Sequence, residues 1–265
     1  MNQYLKGEKV YGDDFTLDQI KEWYKDEEKG YYNLYNSNNG KEKVNYDNKI
    51  HSFYAYDKLC CRKFNNAMGL GSADGREFLP IIHNINQLSI VEIAEEFYKE
   101  SIEGTPTKYI KPDVSGKLPY ADDSFDLIMA SSVLHHIPNI KYVWSELDRC
   151  LMSGGVLIVQ EPIVYMGGME GQREGLTLRE RGIPMIFFSE RLLQYNVVVK
   201  AYFDHGISRK IIGPLINKSL MDSNGLLKVD QWLCRKMALK SKYFTNNVMQ
   251  KLFQAASVYL VLEKK

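Results

Sequence analysis

Short apolar runs alternate with amphipathic stretches of helical length through the middle of the chain. The run at 127–130 is almost continuously apolar, which is typical of a central parallel strand buried on both faces. After it, Ile140, Val143 and Leu147 recur at helical spacing, and Ser-Gly-Gly at 153–155 marks the end of that helix. Predicted strands cover residues 64–70, 88–91, 108–111, 127–130, 156–159, 196–203 and 257–263. The pattern predicts strand–helix–strand units built on parallel strands.

Two helices are predicted before the first strand. Thr16 and Gln19 have the spacing of a capping box, which predicts a helix over 17–28 that Gly30 ends. A second helical pattern covers 47–61. We interpret residues 1–63, which are rich in tyrosine, as a helical cap over a functional site. Ordinary packing of these aromatic side chains against the sheet is the alternative.

The pattern changes after residue 163. Four glycines between 167 and 175 predict a flexible loop, and residues 204–255 have a mainly helical pattern before the last strand. We therefore divide the chain into three parts: the cap at 1–63, a central core at 64–163, and residues 164–265. The last part holds a loop, a helical insertion and the final strands of the same sheet.

Composition excludes several functional classes. The net charge is +1 and the charges are interspersed, so neither nucleic acid nor an anionic membrane is an expected partner. No apolar run approaches the length of a membrane span, and the N-terminus lacks the apolar core of a signal peptide. The 4 cysteines have no metal-like spacing and suggest reduced thiols. We expect a soluble cytoplasmic protein.

A glycine turn follows the first predicted strand. Gly69, Gly71 and Gly75 have the pattern G-x-G-x-x-x-G, and a helix is predicted from residue 76. Glycines let a backbone turn sharply and approach a ligand, because no Cβ intervenes. Glu92 ends the second strand, where an acid can accept hydrogen bonds from both hydroxyls of a ribose. A surface glutamate at the start of a helix is the alternative for this residue.

Five motifs occur in order: the glycine turn, the acid after the second strand, D-V-x-x-x-L-P-Y, D-D-S-F-D-L-I, and L-H-H-I-P-N followed by S-G-G-V-L-I-V. Over about 64–163 the chain resembles the class I S-adenosylmethionine-dependent methyltransferases, in particular those that methylate small molecules and sugars. The resemblance implies an α/β fold with a doubly wound, mostly parallel, seven-stranded sheet whose last strand is antiparallel. It also implies S-adenosylmethionine as the cofactor.

The resemblance assigns roles to individual positions. Most relatives carry an acid two positions before the first glycine, where this chain has Ala67, and the turn holds one extra residue before Gly75. Backbone carbonyls or Asp74 are then expected to hold the cofactor's amino group. A few relatives that modify bacterial cell-surface sugars share a G-x-G-S-A-x-G turn. The expected cofactor-binding residues are Gly69, Gly71, Gly75, Asp74, Glu92, Asp113, Val114 and Ser131, with Ser132 beside the last.

His136 and His135 are the expected catalytic residues, because they follow a strand at the edge where open α/β sheets bind ligands. A base there would take the proton of an acceptor hydroxyl. Packing against the next helix is the alternative for one of them. A metal site of His135, His136 and Glu161 is a minor alternative, and we expect no metal.

The acceptor is expected to be a small molecule, most simply a sugar or glycan precursor of polysaccharide biosynthesis. Residues 31–35, 161–190 and 204–255 are the expected acceptor-binding segments. Arg179, Glu180 and Arg181 either bind a phosphate or carboxylate on the acceptor or form a solvated charge run. The sequence is also compatible with a homodimer.

Three other functions stay open. An N-methyltransferase on a small metabolite would use the same motifs. A nicotinamide-dependent oxidoreductase needs G-x-G-x-x-G, and this turn has one residue too many. A non-catalytic relative that binds the cofactor is supported by Ala67.

Overall fold

The protein is described by a computed structural model that covers residues 2–37, 48–59, 61–167, 177–220 and 223–265. Within these ranges a single sheet has the strand order β3-β4-β2-β1-β5-β6-β8-β7. The strands are β1 (Phe64–Leu70), β2 (Ile85–Val91), β3 (Ser101–Ile102), β4 (Thr105–Ile110), β5 (Phe125–Ser131), β6 (Leu151–Pro162), β7 (Tyr195–His205) and β8 (Ala255–Lys264).

The centre of the sheet is parallel. β1 pairs in parallel with β2 and β5, β2 with β4, and β5 with β6. β8 lies antiparallel between β6 and β7, as predicted for the last strand. The carboxyl ends of the central strands therefore meet at one edge, where ligands bind in open α/β sheets.

The sheet has eight described strands, so the expectation of seven is wrong by one short edge strand. β3 pairs antiparallel with β4 through a two-residue turn at Glu103 and Gly104, which have φ angles of 47° and 83°. Two residues with positive φ are what a tight hairpin turn requires. A strand of two residues is too short to show the alternation of apolar and polar residues by which strands are predicted from sequence.

Helix α1 (Asn2–Leu5) and the long α2 (Leu17–Ser37) precede the sheet. The capping box is confirmed, because Thr16 N donates to Gln19 Oε1 at 2.8 Å and Gln19 N donates to Thr16 Oγ1 at 3.4 Å. The prediction that Gly30 ends α2 is wrong. A glycine in a helix costs only about 1 kcal/mol relative to alanine, so without a left-handed turn it does not stop the helix.

The second predicted helix is irregular. It consists of α3 (Asn48–His51), a π-helical turn (Ser52–Tyr56) and α4 (Asp57–Leu59), while residues 47 and 60 lie outside the described ranges. After the glycine turn the expected α-helix is a 3-10 helix, Arg76–Asn84. Pro80 lies inside it, and a proline removes an amide donor and clashes with the preceding turn of an α-helix.

The remaining helices flank the later strands. They are α5 (Ile140–Cys150), α6 (Met185–Arg191), α7 (Gly213–Ile216), α8 (Asn224–Lys236) and α9 (Val248–Phe253). The predicted insertion at 204–255 is therefore helical over part of its length. Among the described helices, none combines the length and the apolar character needed to cross a bilayer.

Both faces of the sheet are buried, and β5 shows this directly. Ile128 and Ala130 belong to a core that includes Trp144 of α5, whereas Leu127 and Met129 belong to a second core that includes Tyr54. Alternate residues of a strand point to opposite faces, so the continuous apolar run predicted this arrangement.

Candidate active site

A cavity of about 330 Å³ lies at the carboxyl edge of the central strands. We call it the donor cavity. Gly71 and Glu92 line it just after β1 and β2, and Val133 and His136 line it after β5. Tyr24 of α2 also lines it. Helix α2 thus contributes to the wall of this cavity, and the interpretation of residues 1–63 as a cap stays a prediction.

The glycine turn has the conformation that its residues predict. Gly71 has a φ of 62° and Gly75 a φ of 75°, and a side chain is strained in this left-handed region. A Cβ on Gly71 would also meet the side chain of Val133 across the turn. Gly71 lines the donor cavity, whereas Gly69 packs against Ser72 and Phe78 beneath the turn.

Glu92 is buried at the wall of the donor cavity, with 4% of its surface exposed. One carboxylate oxygen accepts a hydrogen bond from Ala73 N at 2.9 Å and the other from Ala94 N at 3.0 Å. Burial raises the pKa of Glu92, and the backbone hydrogen bonds oppose that rise. A carboxylate has about four lone-pair sites, so Glu92 keeps acceptor capacity for a ligand hydroxyl.

The structure brings only some of the predicted cofactor residues to this cavity. Asp113 lines it, and its pKa is lowered first by the side chain of Ser115 and then by Ser115 N, which donates to Oδ1 at 2.8 Å. Val114 is exposed and does not line the donor cavity. Asp74 instead accepts a bond from Arg76 Nε at 2.6 Å, outside the cavity lining.

Two adjacent serines at the end of β5 face different ways. Ser131 is buried, and its Oγ lies 3.4 Å from His51 Nε2, away from the donor cavity. Ser132 has a φ of 52° and lines the cavity. The turn at Ser132 therefore presents the second serine, not the first, to a ligand.

A second cavity of about 780 Å³ adjoins the first. Ser132, His135 and Glu180 line both cavities, and we call this place the junction. The second cavity also carries polar side chains of both charge signs: Gln160, Glu161, Asp204, Arg209 and Lys218. Arg209 Nη1 donates to Asp204 Oδ2 at 2.9 Å.

His135 lies between two carboxylates. Its Nδ1 is 2.6 Å from Glu161 Oε2 and its Nε2 is 3.2 Å from Glu180 Oε1. Burial alone would lower the pKa of His135, but the two carboxylates outweigh burial and raise this pKa to about 9. Burial would raise the pKa of Glu180, yet the histidines lower it to about 2. With a proton shared in this way, His135 does not accept another one at neutral pH.

His136 is paired with a residue of α2. Its Nδ1 lies 2.8 Å from Oε2 of Glu27, which is itself buried. Trp23 Nε1 donates to the carbonyl of His136 at 2.7 Å, which fixes the backbone of this residue to the same helix. His136 lines the donor cavity. A carboxylate on one ring nitrogen orients the other for chemistry.

Among the charged residues at 179–181, the two arginines pair within the protein and do not form a solvated run. Arg179 Nε donates to Asp26 Oδ2 at 2.6 Å. Arg181 has only 1% of its surface exposed and donates to the carbonyl oxygens of His135 at 2.9 Å, Ile137 at 2.8 Å and Pro138 at 3.2 Å. Glu180 faces the junction.

Sequence reasoning missed Glu27 and gave Glu180 no site role of its own. No local pattern marks Glu27, because its partner lies 109 positions away along the chain.

The structure describes only part of the expected acceptor-binding segments. Residues 168–176 and 221–222 and the side chains of 31–35 lie outside the described part of the chain.

Residues 68–159 match the model of a methyltransferase domain. The chain is 32% identical over 78 residues to a sterol 24-C-methyltransferase of Gibberella zeae, covering 29% of this chain and 20% of that protein. The chain thus spans a fifth of the length of that curated relative.

Two solved structures share the fold. The 1,6-didemethyltoxoflavin-N1-methyltransferase of Burkholderia thailandensis aligns with a TM-score of 0.55 at 10% identity, over 93% of this chain and 90% of that one. The [4+2]-cyclase SpnF aligns with a TM-score of 0.51 at 15% identity, over 82% and 81%. The chain therefore has the α/β fold seen in these proteins.

Proposed function

We propose that this chain is an S-adenosylmethionine-dependent methyltransferase acting on a small molecule, most simply on a hydroxyl of a sugar or glycan precursor. One observation carries the proposal: a donor cavity and a larger polar cavity meet at Ser132, His135 and Glu180. Methyl transfer needs the two substrates in line at one point, and positioning of this kind can contribute about 7–11 kcal/mol.

The residues of the donor cavity suit this cofactor. Glu92 is a buried acid at the cavity wall that can accept a hydrogen bond from a ribose hydroxyl, and Asp113 lines the wall where an adenine amino group is expected. Gly71 brings bare backbone to the cavity. When bound, S-adenosylmethionine supplies a methyl group on a positively charged sulfur that is already activated.

The second cavity suits a hydroxylated acceptor. Gln160, Asp204 and Lys218 offer both donors and acceptors of hydrogen bonds along its wall. Arg209 and Lys218, rather than the arginines at 179 and 181, are the cations positioned to meet a phosphate or carboxylate on a sugar. An amine on a small metabolite is the second acceptor class, because one protein of the same fold is an N1-methyltransferase.

The catalytic role proposed for His136 and His135 is to act on the acceptor oxygen. His135 lies at the junction, and His136 lies beside it with a ring-centroid separation of 4.1 Å. The hydroxyl must lose its proton as the new bond to carbon forms. His136 can take that proton itself, and either imidazole can hold a Lewis acid that makes the hydroxyl more acidic.

The proposal predicts that Glu92→Ala weakens binding of S-adenosylhomocysteine by about 10–100-fold, because hydrogen bonds to a charged group contribute ~1.5–3 kcal/mol each. Isothermal titration calorimetry measures this directly. Glu95→Ala is the matched control, since Glu95 is exposed three positions further on and pairs with Lys111 at 3.4 Å. Equal affinities for the two variants would refute the ribose role of Glu92.

Transfer itself is tested with S-adenosylmethionine carrying a labelled methyl group. The purified protein is incubated with pools of sugars, sugar phosphates and small amines, and label in the product is measured by mass spectrometry. We expect label in a hydroxylated product. Absence of binding to both S-adenosylmethionine and S-adenosylhomocysteine would refute the proposal as a whole.

A further inference from the structure

We propose that a metal site lies at the junction, in which His135 and Glu180 together with the adjacent His136 bind one divalent first-row transition-metal cation. The site would hold the acceptor oxygen against the methyl donor. This role rests on the proposed methyl transfer, whereas binding of the cation does not.

The three side chains are already gathered to the dimensions of a metal site. One ligand atom from each of His135, His136 and Glu180 lies within 4.8 Å of the other two. The two imidazole rings are 4.1 Å apart between centroids, although adjacent side chains usually diverge. His135 and Glu180 are buried, so these groups meet in a protected place and not on an open surface.

Each histidine is held from behind by a carboxylate. Glu161 Oε2 lies 2.6 Å from His135 Nδ1, and Glu27 Oε2 lies 2.8 Å from His136 Nδ1. Histidines that bind metals usually donate their second ring nitrogen to a carboxylate, which fixes the tautomer and the ring orientation. Ordinary packing of a core histidine does not require a carboxylate on each of two adjacent imidazoles, so this arrangement favours metal binding.

The supporting carboxylates are themselves fixed. Glu161 Oε1 accepts hydrogen bonds from Val133 N at 2.9 Å and Leu134 N at 2.7 Å. Glu27 Oε1 accepts from Thr177 Oγ1 at 3.0 Å and Arg179 N at 3.2 Å. A second layer that is anchored to backbone holds ligands in place before a cation arrives.

Charge favours a cation here. Three buried carboxylates, those of Glu27, Glu161 and Glu180, surround the two imidazoles. The nearby Arg181 guanidinium is directed at carbonyl oxygens of residues 135, 137 and 138. Buried charges are costly unless they are paired or coordinate a metal, and a divalent ion would take the place of the proton that His135 shares with Glu180.

The types of ligand at this site limit which metal ions it would bind. Two imidazoles and one carboxylate suit Mn²⁺, Fe²⁺, Co²⁺ or Zn²⁺ better than Mg²⁺ or Ca²⁺, which prefer all-oxygen ligands. Three protein ligands leave positions open for oxygens of the acceptor, so an acceptor with adjacent hydroxyls fits best. His135 and Glu180 line both cavities, so a cation held by them would be within reach of an acceptor in the second cavity.

The cation would act as a Lewis acid on the acceptor hydroxyl. The oxygen forms a bond to the methyl carbon, the bond from that carbon to sulfur breaks, and its electron pair stays on sulfur. The hydroxyl proton leaves to solvent through the second cavity. No oxidant or reductant is needed.

The test uses the untagged full chain, freed of metal with a chelator and titrated with Co²⁺ by visible absorption and calorimetry. We expect one saturable equivalent. Glu180→Gln and His136→Gln should each lower Co²⁺ affinity at least ~10-fold, and Glu27→Gln, a positioning change, by ~10–100-fold. His83→Ala is the matched control, because His83 is exposed on the 3-10 helix far along the chain from these ligands.

Two results would overturn the proposal: no saturable binding of Co²⁺, Mn²⁺ or Zn²⁺, or Co²⁺ binding that His136→Gln and Glu180→Gln both leave unchanged. Far-UV circular dichroism shows that each variant is folded. Binding of S-adenosylhomocysteine is measured on the same metal-free sample. If the wild-type protein binds S-adenosylhomocysteine but no cation, the metal site alone is rejected. If it does not bind S-adenosylhomocysteine, the proposed methyl transfer is rejected.

Discussion

Replacing Glu161 with Ala is expected to lower the free energy of unfolding by about 3–5 kcal/mol, the usual cost of removing one partner from a buried ion pair. Glu161 is fully buried, with 0% of its surface exposed. Its carboxylate accepts bonds from Val133 N and Leu134 N and pairs with His135. Without it, two backbone donors and an imidazole lose their hydrogen-bond partner.

Urea denaturation of the wild type and variants checks this stability change. Glu263→Ala is the matched control, because Glu263 lies on the neighbouring β8 and pairs with Arg62 at 3.3 Å in a partly exposed position. Such pairs typically contribute ~0–1 kcal/mol. Similar losses for Glu161→Ala and Glu263→Ala would contradict the assigned importance of the buried carboxylate.

Glu77→Gln is expected to remove a pH dependence of stability. Glu77 has 1% of its surface exposed beneath the glycine turn, where its Oε1 accepts a hydrogen bond from Ser72 Oγ. Burial raises the pKa of Glu77 from 4.5 to about 8, and the charges of Glu92 and Asp74 add to the rise. Glu77 Oε2 has no hydrogen-bond partner among the described residues, as suits a neutral carboxyl group.

Stability falls as pH rises, because the pKa of Glu77 is higher in the folded protein than in the unfolded chain. The folded protein holds the Glu77 proton more tightly than the unfolded chain does, so the stabilisation is complete below pH 4.5 and is lost as pH rises through about 8. Within this window the wild type should lose up to about 1.4 kcal/mol of stability per pH unit from this group. Glu77→Gln, which is neutral at every pH, should lack this loss.

The measurement compares urea midpoints of the wild type and Glu77→Gln between pH 5 and pH 8. The variant should gain relative stability steadily as pH rises. Glu100→Gln changes an exposed acid and should follow the wild-type curve. A constant difference between the wild type and Glu77→Gln across the window would show that Glu77 is ionised in the folded protein.

Much of the sheet could be predicted from the sequence, because a strand buried on both faces leaves an unbroken apolar run. The predicted first strand has the same bounds as β1, Phe64–Leu70. The position of the donor cavity follows from the same logic, since parallel strands place their carboxyl ends together. Gly71, Glu92 and Asp113 lie there as expected.

The details of the site could not be predicted, for local reasons. Ser131 and Ser132 are one residue apart, and the positive φ of Ser132 decides which of them lines the cavity. Asp74 has a cation two positions away in Arg76, and its carboxylate pairs with that side chain outside the lining of the donor cavity. Neither the orientation of Ser132 nor the pairing of Asp74 can be predicted from the spacing of hydrophobic residues.

The partners of the two histidines are a different case. Glu27, Glu161 and Glu180 reach His135 and His136 only through the folded arrangement of separate elements. A single sequence shows that each of these acids exists but not that they meet. The number of charged residues in the sequence does not show that these three acids are buried beside the histidines.

The position of α2 has a consequence for how substrate range can change in proteins of this architecture. The segment that matches a methyltransferase domain, 68–159, contributes the residues expected to hold the donor, while Tyr24 and Glu27 come from outside it. Glu180 also lies beyond that segment. The donor half can therefore be inherited unchanged while the flanking segments diverge. An exchange of α2 between relatives would alter the environment of His136 without touching a donor-binding residue of the matched segment.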